Sequence, residues 1–172
     1  MFRIVIIATV FTLASASTYS QTLWNQTLAG MTVDDVKRVV LEAVAPPKPL
    51  KGSEGTEILL IVPTFDVVGK QFKAEFFFKE ARLVFVSLSP TAQEPAHLAS
   101  STFDSLLTAL RSRYGTELSF RREDNTMFGP LRKVTWTSGA STIELYLIGL
   151  GGDSVTMGIN YSTKVSAAAG KL

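Results

Sequence analysis

The apolar residues of this chain recur at two different intervals, and each stretch predicts an element. Val33, Val36, Val40 and Val44 are spaced by three and four residues, which places them on one face of a helix. Thr32 suits the N-cap of that helix, Asp34 and Asp35 suit its positive end, and Pro46-Pro47 stops it. Valine is a poor helix former, so this helix has to be held by packing. A second helix is expected where Phe103, Leu106, Leu107, Leu110 and Tyr114 make an apolar stripe. Ser101 or Thr102 caps it, Gly115 ends it, and Pro90 to Ala99 reads as the loop before it.

Elsewhere the period is two. Ile58–Val62 is a short β-branched run bounded by Pro63, preceded by a Pro/Gly/Ser-rich linker from Lys48 to Glu57. Between Phe72 and Lys79, the residues Phe72, Ala74, Phe76 and Phe78 point one way. Lys73, Glu75, Phe77 and Lys79 point the other. A polar tip at Lys79-Glu80 joins this run to Arg82–Leu88 as a hairpin. After a polar loop come Leu131–Thr137, Thr142–Ile148 and Ser154–Tyr161, separated by turns built on Gly139 and on Gly149-Leu150-Gly151-Gly152. Val134, Trp136, Ile143, Leu145, Leu147, Val155, Met157, Ile159 and Tyr161 form the expected inner face. Thr135, Glu144, Tyr146, Thr156 and Asn160 form the outer one.

The expected fold is α+β, with two helices packed on one face of an antiparallel sheet in the order α-βββ-α-βββ. That order suggests one α-βββ unit used twice. Such a sheet leaves its other face wet.

The first sixteen residues change the picture of where the chain works. Met1-Phe2-Arg3 is a short positive start, Ile4 to Ala14 is apolar, and Ala14-Ser15-Ala16 supplies the small residues of a cleavage site. This layout predicts a signal peptide over 1–16, an extended segment over 17–30, one domain over 31–162 and a flexible tail over 163–172. The apolar run is too short to span a bilayer, which takes about 20 residues. A periplasmic or secreted protein is expected, with no stable membrane insertion after cleavage. The chain has no cysteine, so disulfides, thiolate metal sites and a lipidated start are all excluded. Small secreted animal domains commonly depend on disulfides, so a bacterial envelope is the better fit.

Composition narrows the chemistry further. Seventeen Lys and Arg stand against fifteen Asp and Glu, interspersed throughout, and Arg121-Arg122 is followed at once by Glu123-Asp124. No basic stripe is present to neutralise a phosphate backbone, so nucleic acid is not an expected partner. A single histidine rules out a histidine-rich metal site, and no cofactor is expected.

A set of short motifs adds a resemblance. Trp24, Gly30-Met31-Thr32 with Asp35-Val36, Pro63 with Gly69 and Phe72, Phe76-Phe77-Phe78, Leu83 to Ser87, Tyr114-Gly115, and Trp136 with Thr142-Ile143 and Leu145 follow one another in order. Together they resemble small bacterial envelope proteins with the β-lactamase-inhibitor-protein-like fold. That group also includes a small lipoprotein of the outer-membrane assembly machinery. The resemblance implies a non-enzymatic, protein-binding module.

Candidate sites are few. His97 stands near Ser100, Ser101 and Asp104 but in no nucleophile context, and reads as a solvated loop residue. The Gly149–Asp153 stretch lacks a P-loop lysine and reads as a turn. Glu75 and Glu144 on the outer face raise the thought of a glycosidase-like pair, but Lys73, Lys79 and Lys133 share that face and favour simple salt bridges. No catalytic residue is assigned. Phe77 and Tyr146 stand out as aromatics at outward positions, the composition of an interface anchor. The leading expectation is therefore a binding protein of the envelope that uses the open sheet face. Phe77 and Tyr146 anchor another envelope or secreted protein, and Lys73, Glu75, Lys133 and Glu144 set its electrostatic fit. The alternative is a carrier of a small apolar ligand held between helices and sheet, suggested by the density of Phe72, Phe76, Phe78, Phe85 and Trp136.

Overall fold

The computed structural model describes residues 22–48 and 50–163. The predicted leader over 1–16, the start of the extended segment and the tail beyond Thr163 lie outside the described residues.

A helix α1, Val33–Val39, follows the predicted cap. Thr32 accepts from the Asp35 amide at 3.2 Å, and the Asp35 carboxylate accepts from the Thr32 amide at 2.9 Å, so two otherwise orphaned donors are satisfied. The helix stops five residues short of the expected end. Val44 instead exchanges backbone hydrogen bonds with Ile61, at 2.9 and 2.8 Å, so a β-bridge displaces a run of weak helix formers.

Next come β1 (Leu50–Lys51), β2 (Glu57–Val67), β3 (Lys70–Lys79) and β4 (Arg82–Pro90). Pro63 lies inside β2 and does not end it. The proline falls where the pairing register slips between Val62 and Phe65, and a bulge spares the ladder the missing donor. Helix α2 runs Ala96–Tyr114, five residues earlier than the expected cap. No side chain at Pro95 caps it. The Asp153 carboxylate, distant in sequence, accepts from the Ala96 amide at 3.1 Å. The second meander is β5 (Ser119–Thr126), β6 (Gly129–Ser138), β7 (Ser141–Gly151) and β8 (Ser154–Thr163).

The observed order is thus α-ββββ-α-ββββ, correcting α-βββ-α-βββ. The strands not expected from the sequence are the two-residue β1 and the charged β5. All eight strands form one antiparallel sheet in the order β1-β2-β3-β4-β8-β7-β6-β5. The last strand of each half meets the other in the middle, with Val86 opposite Tyr161 and Leu88 opposite Ile159.

The alternation places the inner face as expected. Phe72, Phe76, Phe78, Trp136, Leu145 and Leu147 are fully buried in one core with Val36 and Val40. Two structures cover this face. Helix α2 packs on β6, β7 and β8 through Phe103, Leu106, Leu107 and Leu110. Over the other half lies a strap formed by residues 22–31 and α1. Ser141 donates to the Thr22 carbonyl at 2.7 Å, and Trp24 packs on Phe65 and Phe76 at ring separations of 5.1 and 5.9 Å. Gly30 and Met31 exchange hydrogen bonds of 2.8 Å with Leu83. Among the described residues no helix is long and apolar enough to cross a membrane.

Candidate functional site

The open face carries all six residues singled out from the sequence, and its register fixes how far apart they lie. Glu75 stands opposite Ser87, Ser87 opposite Asn160, and Asn160 opposite Glu144. Three strand spacings separate the two carboxylates, roughly 14 Å at the backbone, well beyond the 5–9.5 Å of a glycosidase pair. Each instead holds a lysine, Lys73 with Glu75 at 2.9 Å and Lys133 with Glu144 at 2.6 Å. Exposed pairs of this kind contribute at most about 1 kcal/mol each.

The two aromatics are not brought together either. Phe77 shares a row with Phe85, Ser162 and Thr142, and Tyr146 lies four residues further along β7. Their backbones are therefore roughly 20 Å apart. Each ring is half-buried. Phe77 stands edge-on to Phe85 at 5.0 Å, beside the loop carrying Gly52 and Thr56. Gly52 allows this close approach, since a Cβ there would come within 2.9 Å of the Phe77 ring. Tyr146 lies over its cross-strand partner Gly158, and its hydroxyl hydrogen-bonds with Ser87. Burial raises its phenol pKa, and the Glu144 and Glu75 carboxylates add to that rise. The surface is a row of internally satisfied polar groups with aromatics at two separate points.

His97 is exposed in the first turn of α2, not in a loop. The β7–β8 turn is only Gly152-Asp153, since Gly149 to Gly151, expected to be turn, extend β7 and pair with β8. Among the described residues no group of three potential metal ligands is gathered.

One buried charge went unnoticed in the sequence. Arg132 points inward from β6, its side chain only 8% exposed, beneath α2 and over the Phe103 ring at 5.7 Å. Asp124 of β5 accepts from its Nε at 2.7 Å, and Asp104 of α2 approaches its Nη1 at 3.6 Å. Nη1 itself has no hydrogen-bond partner, so the guanidinium is held to β5 through Asp124 and only faces α2.

One concavity lies on the inner face, where the two covers fail to meet. Above β4 and β8 a cleft of about 370 Å³ opens between the strap and α2. Leu88 and Ile159 are its floor, Trp24 and Phe65 one wall, and Leu106 and Leu110 the other. At the rim are Asn25, Asp66, Ala109 and Arg113, with Tyr161 below. Burial pushes the Tyr161 phenol far up, its hydrogen bond with Tyr114 adds to this, and so it stays neutral. Phe72, Phe76, Phe78 and Trp136, expected to line such a cavity, are instead fully buried on strands β3 and β6, and Phe85 faces outward. The signal that pointed to the true lining was faint: one tryptophan in a polar segment, and one flank of the second helix.

No known family matches the sequence, and comparison with curated proteins and with solved structures finds no match.

Proposed function

We propose that the protein is an exported, non-enzymatic binding protein of the bacterial envelope, and that its ligand is a small apolar molecule held in the cleft between the strap and α2. The observation that carries this reading is the incomplete cover of the inner face. A volume of about 370 Å³ with an apolar floor and a few polar groups at its rim falls within the range of small-molecule sites, about 300–1,000 Å³. The outer face offers less, since its lysines and carboxylates already satisfy one another.

The test is to purify the processed protein and titrate it with alkyl probes while following Trp24 emission. Ala109 sits on the rim and is exposed, so Ala109→Trp fills the opening without disturbing the core. Binding in the parent and its loss in the variant is the expected result. Absence of any alkyl binding removes the proposal.

A second reading, protein binding through the open sheet face, keeps one specific support. Phe77 and Phe85 form an edge-to-face pair in a shallow hollow of about 190 Å³ rimmed by Ser53, Glu54 and Thr56, the make-up of an anchor pocket. The Phe77→Ala, Tyr146→Ala double variant distinguishes the two readings, because it leaves alkyl binding intact and abolishes capture of a protein partner.

A further inference from the structure

Resting on the cleft reading above, we infer that the ligand is a single-chain amphiphile with a carboxylate head, its alkyl chain lying on Leu88 and Ile159 and its head held by Arg113. The cleft is asymmetric in a way that a purely apolar ligand does not need. Its floor and walls are hydrocarbon and aromatic, whereas the only cation in its lining is Arg113, in the last turn of α2. Among the described residues Arg113 makes no ion pair. Its neighbour Arg111, one turn-face away, is fully engaged by Glu117, with Nε donating at 3.0 Å. The guanidinium of Arg113 rests over the Tyr114 ring at 5.5 Å, an arrangement that fixes its position and leaves its donors free.

The other charge at the rim is Asp66, beside Phe65 on the opposite wall, so an anionic head has to lie on the α2 side. Asp66 accepts from the Gly69 amide at 3.2 Å, holding the β2–β3 turn, and comes within ion-pair distance of no cation among the described residues. Arginine's planar fork matches a carboxylate in two-point geometry, and next to an apolar wall that contact is only partly screened by water. Pairing with Arg113 therefore favours an anionic head at the α2 wall, and the floor selects the chain. The volume accommodates a medium-length tail.

The experiment uses the purified, processed protein and three probes with one tail and different heads: decanoate, 1-decanol and decyltrimethylammonium, each below its micellar concentration. Affinity is measured by calorimetry and by emission of Trp24, with the fully buried Trp136 as a constant background. Decanoate is expected to bind about tenfold tighter than decanol, the value of one charged hydrogen-bonding contact. The ammonium probe is expected to bind least. Arg113→Gln should bring decanoate down to the level of decanol and leave decanol unchanged, and Arg113→Lys should restore part of the gap. Equal or tighter binding of decanol by the parent protein overturns the inference, as does an Arg113→Gln variant that weakens both probes alike. Binding that persists in Ala109→Trp places the site elsewhere and overturns it too. If the chains bind without regard to head group, the cleft stands and the carboxylate assignment falls. If no probe binds, both fall.

Discussion

The two covers of the inner face solve the same problem by different means. Over β6–β8, one nineteen-residue helix presents a continuous apolar stripe and lies over the buried Arg132 near the sheet edge. Over β2–β4, the cover is a seven-residue helix and a short strap, the strap fixed by hydrogen bonds to Leu83 of β4 and, across the sheet, to Ser141 of β7. The helix buries side chains by its own periodicity and needs little help. The strap has no period of its own and takes its shape from whatever backbone donors the sheet leaves free. Because the two are built independently, they do not close on each other, and the gap between them is the cleft.

That contrast can be broken first at its stronger side. Phe103→Ala removes a fully buried ring from beneath α2 and should cost about 4 kcal/mol, read from denaturant unfolding. A loss below about 1 kcal/mol would show that α2 is not the main fastening of its half. Asp124→Ala strips the close partner from the buried Arg132 and should cost about 2 kcal/mol, whereas Arg132→Met should be close to neutral. Equal losses from the two would contradict the assignment of Arg132 as an ion that needs its carboxylate. On the weaker side, Thr32→Ala opens the capping box and should cost about 1 kcal/mol. Amide exchange should then quicken in α1 and stay unchanged in α2. The β2–β3 turn sharpens the comparison from the opposite direction. Val68 sits at a φ of +49°, a left-handed conformation that a β-branched side chain resists, so Val68→Asn should raise stability by about 0.5–1 kcal/mol.

The smallest effect is one of pH. Arg111 holds the Glu117 carboxyl down to about 2, and Lys70 lowers that of Glu94. Depressed carboxylates stabilise the fold above their unfolded value near 4.5, and that contribution disappears as pH falls towards 2. Thermal unfolding across this window should show a gentle acid decline, and Glu117→Gln should shallow it. A rising midpoint on acidification would reverse the sign and reject the pairing.

Much of the architecture was legible because it follows from side-chain period alone. The inner faces of β3, β6, β7 and β8 match the alternation residue by residue, and the stripe of α2 matches its helical spacing. Three things were not legible, for physical reasons. The strand β5 reads Ser-Phe-Arg-Arg-Glu-Asp-Asn-Thr, with no apolar alternation, because an edge strand is kept from adding neighbours by charge and not by core contacts. The start of α2 is capped from Asp153, more than fifty residues away, so no local signal exists at Pro95. Val44 leaves the helix for a backbone pairing with Ile61 that no side-chain pattern encodes. The candidate site fared worse than the fold. The open-face residues were placed correctly, with all six on one surface, but their separation depends on register, and that left Phe77 and Tyr146 apart. The cleft arises from how two covers sit over β4 and β8, and Trp24, Phe65 and Arg113 share no sequence neighbourhood.

The strand order has a consequence for how the molecule is made. Its centre joins β4 to β8, with Ser87 donating to Asn160 across a separation of 73 residues. Closing so long a loop is slow, and the two meanders cannot be joined until β8 has been synthesised. Deleting β8, Ser154–Thr163, removes the keystone and not the margin, and divides the sheet in two.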